Sequence, residues 1–239
     1  MNLIFLSAVF LIAHILSDFY LQPTKWVDEK NSKGFRAAQL YWHCIIYALT
    51  VSVAVFCFTQ LLWLAAVAFF GVGLLHIATD GLKKRFNDGM SYFIIDQAIH
   101  VIVLSIVVWL VYTRQSNMPA VLWIKATLVL LGYMIVLKPF GITAKKIMDT
   151  FGFSPSENGL KNGGLWIGYI ERFLIFTFIL MSYYEGIGFL LAAKSIFRFG
   201  ELKSDTEIKR TEYILIGTLL SFGLAVCTGM LIKVVLNYL

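Results

Sequence analysis

The chain has 239 residues, 59% hydrophobic and 14% charged, with a mean hydropathy of +0.78. Soluble domains run about 45–50% apolar and about 25% charged, and a water-soluble core of this size has no room for so much apolar surface, so the composition points to an integral membrane protein. Cys44, Cys57 and Cys227 all lie inside apolar runs and read as packed hydrophobes, which excludes a disulfide scaffold or a zinc knuckle.

A hydrocarbon layer of about 30 Å takes about 20 residues of helix. In chain order the apolar runs predict spans over Asn2–Gln22, Leu40–Phe58, Leu61–Asp80, Tyr92–Tyr112, Val121–Phe140, Leu165–Tyr183, Gly186–Phe199 and Tyr213–Leu236. The first carries His14 and Asp18 and lacks a basic leader, so it reads as a retained span and not a signal peptide. The seventh is short and holds Lys194 and Arg198. The expected fold is therefore an all-α polytopic bundle of about eight membrane helices, or seven if that segment does not cross. Residues 1–112 form one four-helix half in this reading. Residues 113–239 form the other, with a long cytoplasmic loop at 141–164.

The formal charge is +6, but the basic residues sit in loops and form no basic face, so no nucleic-acid partner is implied. Lys25, Lys30, Lys33 and Arg36 fall on one side with Lys83, Lys84 and Arg85. Lys138, Lys145, Lys146, Lys161, Lys194, Arg198, Lys203, Lys209 and Arg210 join them. Only Arg114, Lys125 and Lys233 fall on the other. The positive-inside rule makes the basic side cytoplasmic, with both termini outside if eight segments cross.

All four histidines, His14, His43, His76 and His100, lie in the first four apolar segments, one in each. Three have an aspartate four residues away: Asp18, Asp80 and Asp96. Residues at i and i+4 share a helix face, and the alternating direction of the spans brings all seven groups to one cytoplasmic level. An intramembrane carboxylate costs about 2.5–3.5 kcal/mol on insertion scales, so three of them need compensation. A divalent cation supplies it, and His with Asp suits Zn, Mn or Fe. The expectation is a metal held by His14, His43, His76 and His100, with Asp18, Asp80 and Asp96 as ligands, as partners orienting the histidines, or as catalytic acids and bases. Mutual neutralisation of each His–Asp pair is the simpler alternative for any one helix.

These residues carry a resemblance. His14-x-x-x-Asp18-Phe19-x-x-Gln22, Lys30, His43, His76-x-x-x-Asp80-x-x-Lys83 and Asp96-Gln97-x-x-His100 resemble a bacterial membrane family, domain of unknown function 3307. The likeness extends to Gly163-Gly164-Leu-Trp-Ile-Gly168-Tyr-Ile-Glu171-Arg172 and Ala192-Ala193-Lys194-Ser195. It implies a bacterial polytopic protein in which the His and Asp positions belong to a family pattern, and it implies no reaction.

In the second half, Gly164-x-x-x-Gly168 reads as a helix-packing signal, and Glu171 and Arg172 lie inside a span. Arg172, Lys194 and Arg198 are the expected cationic residues for an anionic substrate, with snorkelling as the plainer account of the last two. No His-Glu-x-x-His helix, Gly-x-Ser-x-Gly elbow or phosphate-binding loop is present. The leading functional expectation is a metal-dependent hydrolase of the bacterial inner membrane, its site facing the cytoplasm, acting on a lipid or anionic membrane-associated substrate. Its rivals are a proton- or divalent-ion-conducting transporter and a scaffold with a structural metal.

Overall fold

A computed structural model describes residues 2–83, 89–114, 121–152, 162–196 and 205–239. Every regular element among them is helical. The chain divides into two compact units, Met1–Leu131 and Gly132–Leu239.

The first unit contains α1 (Asn2–Ile15), a π-helical turn (Leu16–Tyr20), α2 (Thr24–Lys33), a 3-10 turn (Gly34–Arg36), α3 (Ala38–Thr59), α4 (Leu62–Leu82) and α5 (Met90–Tyr112). Helix α6 (Val121–Asp149) runs on into the second unit, which adds α7 (Gly163–Leu180), α8 (Tyr184–Ile196) and α9 (Asp205–Tyr238). Seven helical segments are long and apolar enough to cross a membrane, and within each no more than 44% of residues are buried. Their outward faces carry Leu, Ile, Val and Phe, and exposed Trp42, Trp63, Trp109, Trp123 and Trp166 sit toward helix ends. Water would strip such a surface, whereas lipid tails solvate the aliphatic faces and headgroups suit the tryptophans.

Two expectations shift. The polar stretch 24–33, expected as loop, is helix α2, begun after the extended Pro23, whose ring cannot continue a helix from before it. Helix α6 continues to Asp149, so the loop expected from residue 141 begins about two turns later. Pro139 lies inside that helix, and Thr143 Oγ1 donates to the Pro139 carbonyl at 3.0 Å, giving the Pro-containing stretch a local bond of its own. The seventh segment, expected to be short, is α8, with 13 described residues.

The packing of α7 and α9 explains why a short helix sits there. Arg172 meets Ser221, a Cβ at Gly229 would touch Ile179, and Lys233 donates to Ser182 and Tyr184. Contacts thus advance in the same direction along both helices, so α7 and α9 run parallel. The chain between them must return the length of the unit, and α8 is the described part of that return.

One stripe per helix builds the first unit. Leu6 and Phe10 on α1, Tyr47, Val51 and Val55 on α3, Ala65, Ala68 and Val72 on α4, and Leu104, Val108 and Val111 on α5 form a buried apolar cluster. Continued by four residues, each stripe reaches a histidine: Phe10 to His14, Tyr47 back to His43, Val72 to His76, Leu104 back to His100. The same period of about 3.6 residues that buries the apolar half therefore buries the polar half. Close helix approach keeps it narrow: a Cβ at Gly73 would lie 3.2 Å from Ala48, and one at Gly81 would overlap the Phe35 ring.

Candidate metal centre

Asp18 stands among all four imidazoles. It lies on the π-helical turn that follows α1, a widened turn of the kind that re-aims side chains at functional sites. Its Oδ2 is 3.7 Å from His14 Nδ1 and 3.5 Å from His100 Nδ1. Its Oδ1 is 3.4 Å from His43 Nε2 and 3.6 Å from His76 Nε2. The two His Nε2 atoms are 2.9 Å apart. Metal–ligand bonds of about 2.0–2.2 Å at tetrahedral angles put neighbouring donors about 3.4 Å apart, so the triangle of His43, His76 and Asp18 has the size of a metal site. Among the described residues three groups have donors within 4.8 Å of one another: His14–Asp18–His100, Asp18–His43–His76 and His76–Asp80–His100. Each oxygen of Asp18 serves one of the first two.

Hydrogen bonds at the far ring edges decide which nitrogens carry protons. Gln97 Nε2 donates to Asp96 Oδ2 at 3.2 Å, which turns its Oε1 toward His14 Nε2 at 3.1 Å. An amide oxygen only accepts, so His14 carries its proton on Nε2 and a neutral ring keeps a lone pair on Nδ1. His100 follows the same logic. Thr79 Oγ1 donates to the His76 carbonyl at 3.1 Å and lies 3.2 Å from His100 Nε2, which must then donate to it. Two Nδ1 lone pairs thus converge on an anionic oxygen. Neither Nδ1, nor Asp18 Oδ1, has a hydrogen-bond partner. Such a convergence of donors in a buried place could hold a cation.

Asp80 and Asp96 are compensated differently. Lys30, from α2, donates to Asp80 Oδ2. Lys83 Nζ is 2.5 Å from Asp80 Oδ1 and 2.9 Å from Asp96 Oδ2. Burial pulls the Lys83 pKa down, but the two carboxylates outweigh it and hold the ammonium above its ordinary value. The sequence argument that three carboxylates need a metal is therefore corrected: two ammonium groups face two of them, and Asp18 is left with histidines. Lys30, expected in a cytoplasmic loop and also among the residues of the family likeness, is 2% exposed. Its signal was its register, three residues after Val27 and four after Trp26 on the less exposed side of α2. Gln22, with its amide turned to satisfy both neighbours, accepts from Lys30 and donates to the Asp18 carbonyl.

Tyr47 was also missed. Its ring stacks on His76 at 4.0 Å between centroids, and His76 stacks on His100 at 4.4 Å. It lies one turn beyond His43 on the same stripe, a spacing that marks it as a wall of the site.

The cationic residues expected for substrate belong to the second unit. Lys194 Nζ is 2.6 Å from Glu171. Arg172 donates to Ser221 Oγ at 3.0 Å and to the Leu137 carbonyl at 2.9 Å. Arg198 lies outside the described residues. A Cβ at Gly168 or Gly141 would come within 3.0 Å of the Arg172 guanidinium, whereas Gly164 has nothing within 4 Å. The glycine pair expected to pack helices thus resolves into one glycine that makes room for an arginine and one with an open side.

No curated protein and no solved structure matches the chain. A family model described as protein of unknown function (DUF3307) matches residues 6–130, a range that contains the four histidines, the three aspartates, Lys30 and Lys83. The chain belongs to that family.

Proposed function

We propose that the protein is a membrane enzyme with a divalent-metal centre built on Asp18, hydrolysing an anionic, membrane-associated substrate such as a phosphorylated lipid. The observation that carries this reading is the convergence of His14 Nδ1 and His100 Nδ1 on Asp18 Oδ2, with both outer ring nitrogens already committed to Gln97 and Thr79. Zinc, manganese or iron bound there would lower the pKa of a coordinated water and supply a nucleophile. Asp96 Oδ1 lies 3.9 Å from His100 Nε2, at the ring edge away from the metal, where its charge would favour the Nε2-protonated ring and keep the Nδ1 lone pair for the metal. Asp80, between two lysines, holds charge in place. The distribution of lysine and arginine supports a site facing the cytoplasm, and the membrane in this reading is a bacterial inner membrane.

Metal content of the detergent-purified protein tests the reading. The expected result is bound Zn, Mn or Fe that is lost in Asp18→Asn and in the His14→Ala/His76→Ala pair. No metal in the parent, and none taken up on reconstitution, would discard it.

One observation supports a second reading. His43 Nε2 and His76 Nε2 at 2.9 Å can share a proton, and with Asp18, His100 and Thr79 they form a buried string of proton-exchanging groups. In that case the site conducts protons or ions, and liposome flux would vanish in His76→Ala.

A further inference from the structure

Charge within the His–Asp cluster of the first unit is divided unevenly. Asp18, Asp80 and Asp96 bring three negative charges, and Lys30 and Lys83 bring two positive ones. The two ammonium groups both sit on Asp80 and Asp96, so the surplus negative charge lies with Asp18. A divalent ion with one hydroxide closes that balance at Asp18. A second ion at Asp80 would not.

Geometry gives the same division. Among the described residues His76, Asp80 and His100 form a third group with donors close enough for a metal, but His100 has its Nε2 proton on Thr79 and its Nδ1 on Asp18, so the imidazoles open to an ion at Asp80 are those of His76 and His43. Asp80 Oδ2 is 3.8 Å from His76 Nε2 and 3.7 Å from His43 Nε2. That same oxygen accepts from Lys30. The other oxygen, Oδ1, faces Lys83 at 2.5 Å. Lys30 enters from α2, outside the membrane-length helices. A lysine at the end of a flexible stem ordinarily carries its ammonium out to water. Here it is 2% exposed and bonded 50 residues away in sequence.

We propose that Lys30 is a built-in cation: its ammonium takes the place at Asp80 that a second divalent ion would fill, and so confines metal binding to Asp18. This rests on the reading of the Asp18 cluster as a metal centre, and deepens it by setting how many ions the site accepts. Lys30 is in these terms a specificity-determining residue. Gln22 ties it to the Asp18 turn, so the resident ammonium and the metal-binding carboxylate are held in one frame.

The test is zinc stoichiometry in the full chain, purified in detergent, equilibrated with zinc and freed of excess, with the unfolding midpoint recorded with and without zinc. Lys30→Met is expected to hold one more equivalent than the parent and to gain more stability from zinc. Lys30→Arg, which keeps the cation, should match the parent. Lys30→Met/Asp80→Asn should return to parental content, because no carboxylate is then left there to hold the second ion. If Lys30→Met folds poorly without metal, recovery of folded protein on adding zinc supports the same conclusion. Equal stoichiometry in parent and Lys30→Met, with no extra stabilisation by zinc, overturns it while leaving an Asp18-dependent metal intact. Zinc in Lys30→Met alone would support the role of Lys30 and remove the Asp18 centre. Absence of zinc from both would remove the two together.

Discussion

Buried charge is handled in opposite ways in the two units. In the second, Glu171 meets Lys194 at 2.6 Å, and Arg172 meets a carbonyl and a hydroxyl, so a charged group faces a partner of matching chemistry. In the first, Asp80 and Asp96 are matched by lysines, but Asp18 faces four imidazoles, with ring nitrogens left without hydrogen bonds. Matched charges hold helices together. Unmatched ones cost stability and are kept where a ligand completes them. The difference supports the proposal that a ligand binds at the Asp18 cluster and that the Glu171–Lys194 pair serves structure.

The comparison is sharpest when each side is cut. Lys194→Met leaves Glu171 buried with no cation and should cost about 3 kcal/mol, read as a lowered unfolding midpoint. Adding Glu171→Gln should recover most of that loss. A double variant no better than the single one would show that the pair is not the stabilising feature. On the other side, Gln97→Leu removes the acceptor that sets the His14 tautomer, and metal affinity should fall about 10- to 100-fold with little change in the metal-free midpoint. Unchanged affinity would mean that His14 does not bind through Nδ1.

Asp18→Asn should act against intuition. Without metal it removes an anion that only histidines face, so the midpoint should rise by the equivalent of about 1 kcal/mol, and the stabilisation by added metal should disappear. A large fall would place Asp18 with the structural charges. The smallest effect concerns pH. Lys83 has a raised pKa in the folded protein, so its contribution is complete below the unfolded value of about 10.4 and fades only above it. Stability differences between parent and Lys83→Met should accordingly stay constant from neutral pH to about pH 10. A difference that fades below about pH 9 would break the pairing with Asp80 and Asp96.

Much of the site was legible because its period is the helix period. His14, His43, His76 and His100 continue the apolar stripes of Phe10, Tyr47, Val72 and Leu104, and i, i+4 spacing is a property of one helix. Lengths and apolar runs likewise determined the membrane class and all the long helices. Three things depended on how helices meet. Lys30 reaches Asp80 across 50 residues, and no local pattern separates a lysine that pairs inward from one that stays in water. The proton positions on His14 and His100 depend on Gln97 and Thr79, and the Gln97 amide reaches His14 across the interface of α1 and α5. Helix α8 returns the chain between two parallel helices, a fact that appears only when α7 and α9 are seen side by side. Sequence alone determined which residues are polar within the membrane and at which level they lie, since both follow from hydropathy and helical rise. Only the tertiary structure decided which charges are already matched, because pairing depends on distances of a few ångströms between segments remote in the chain.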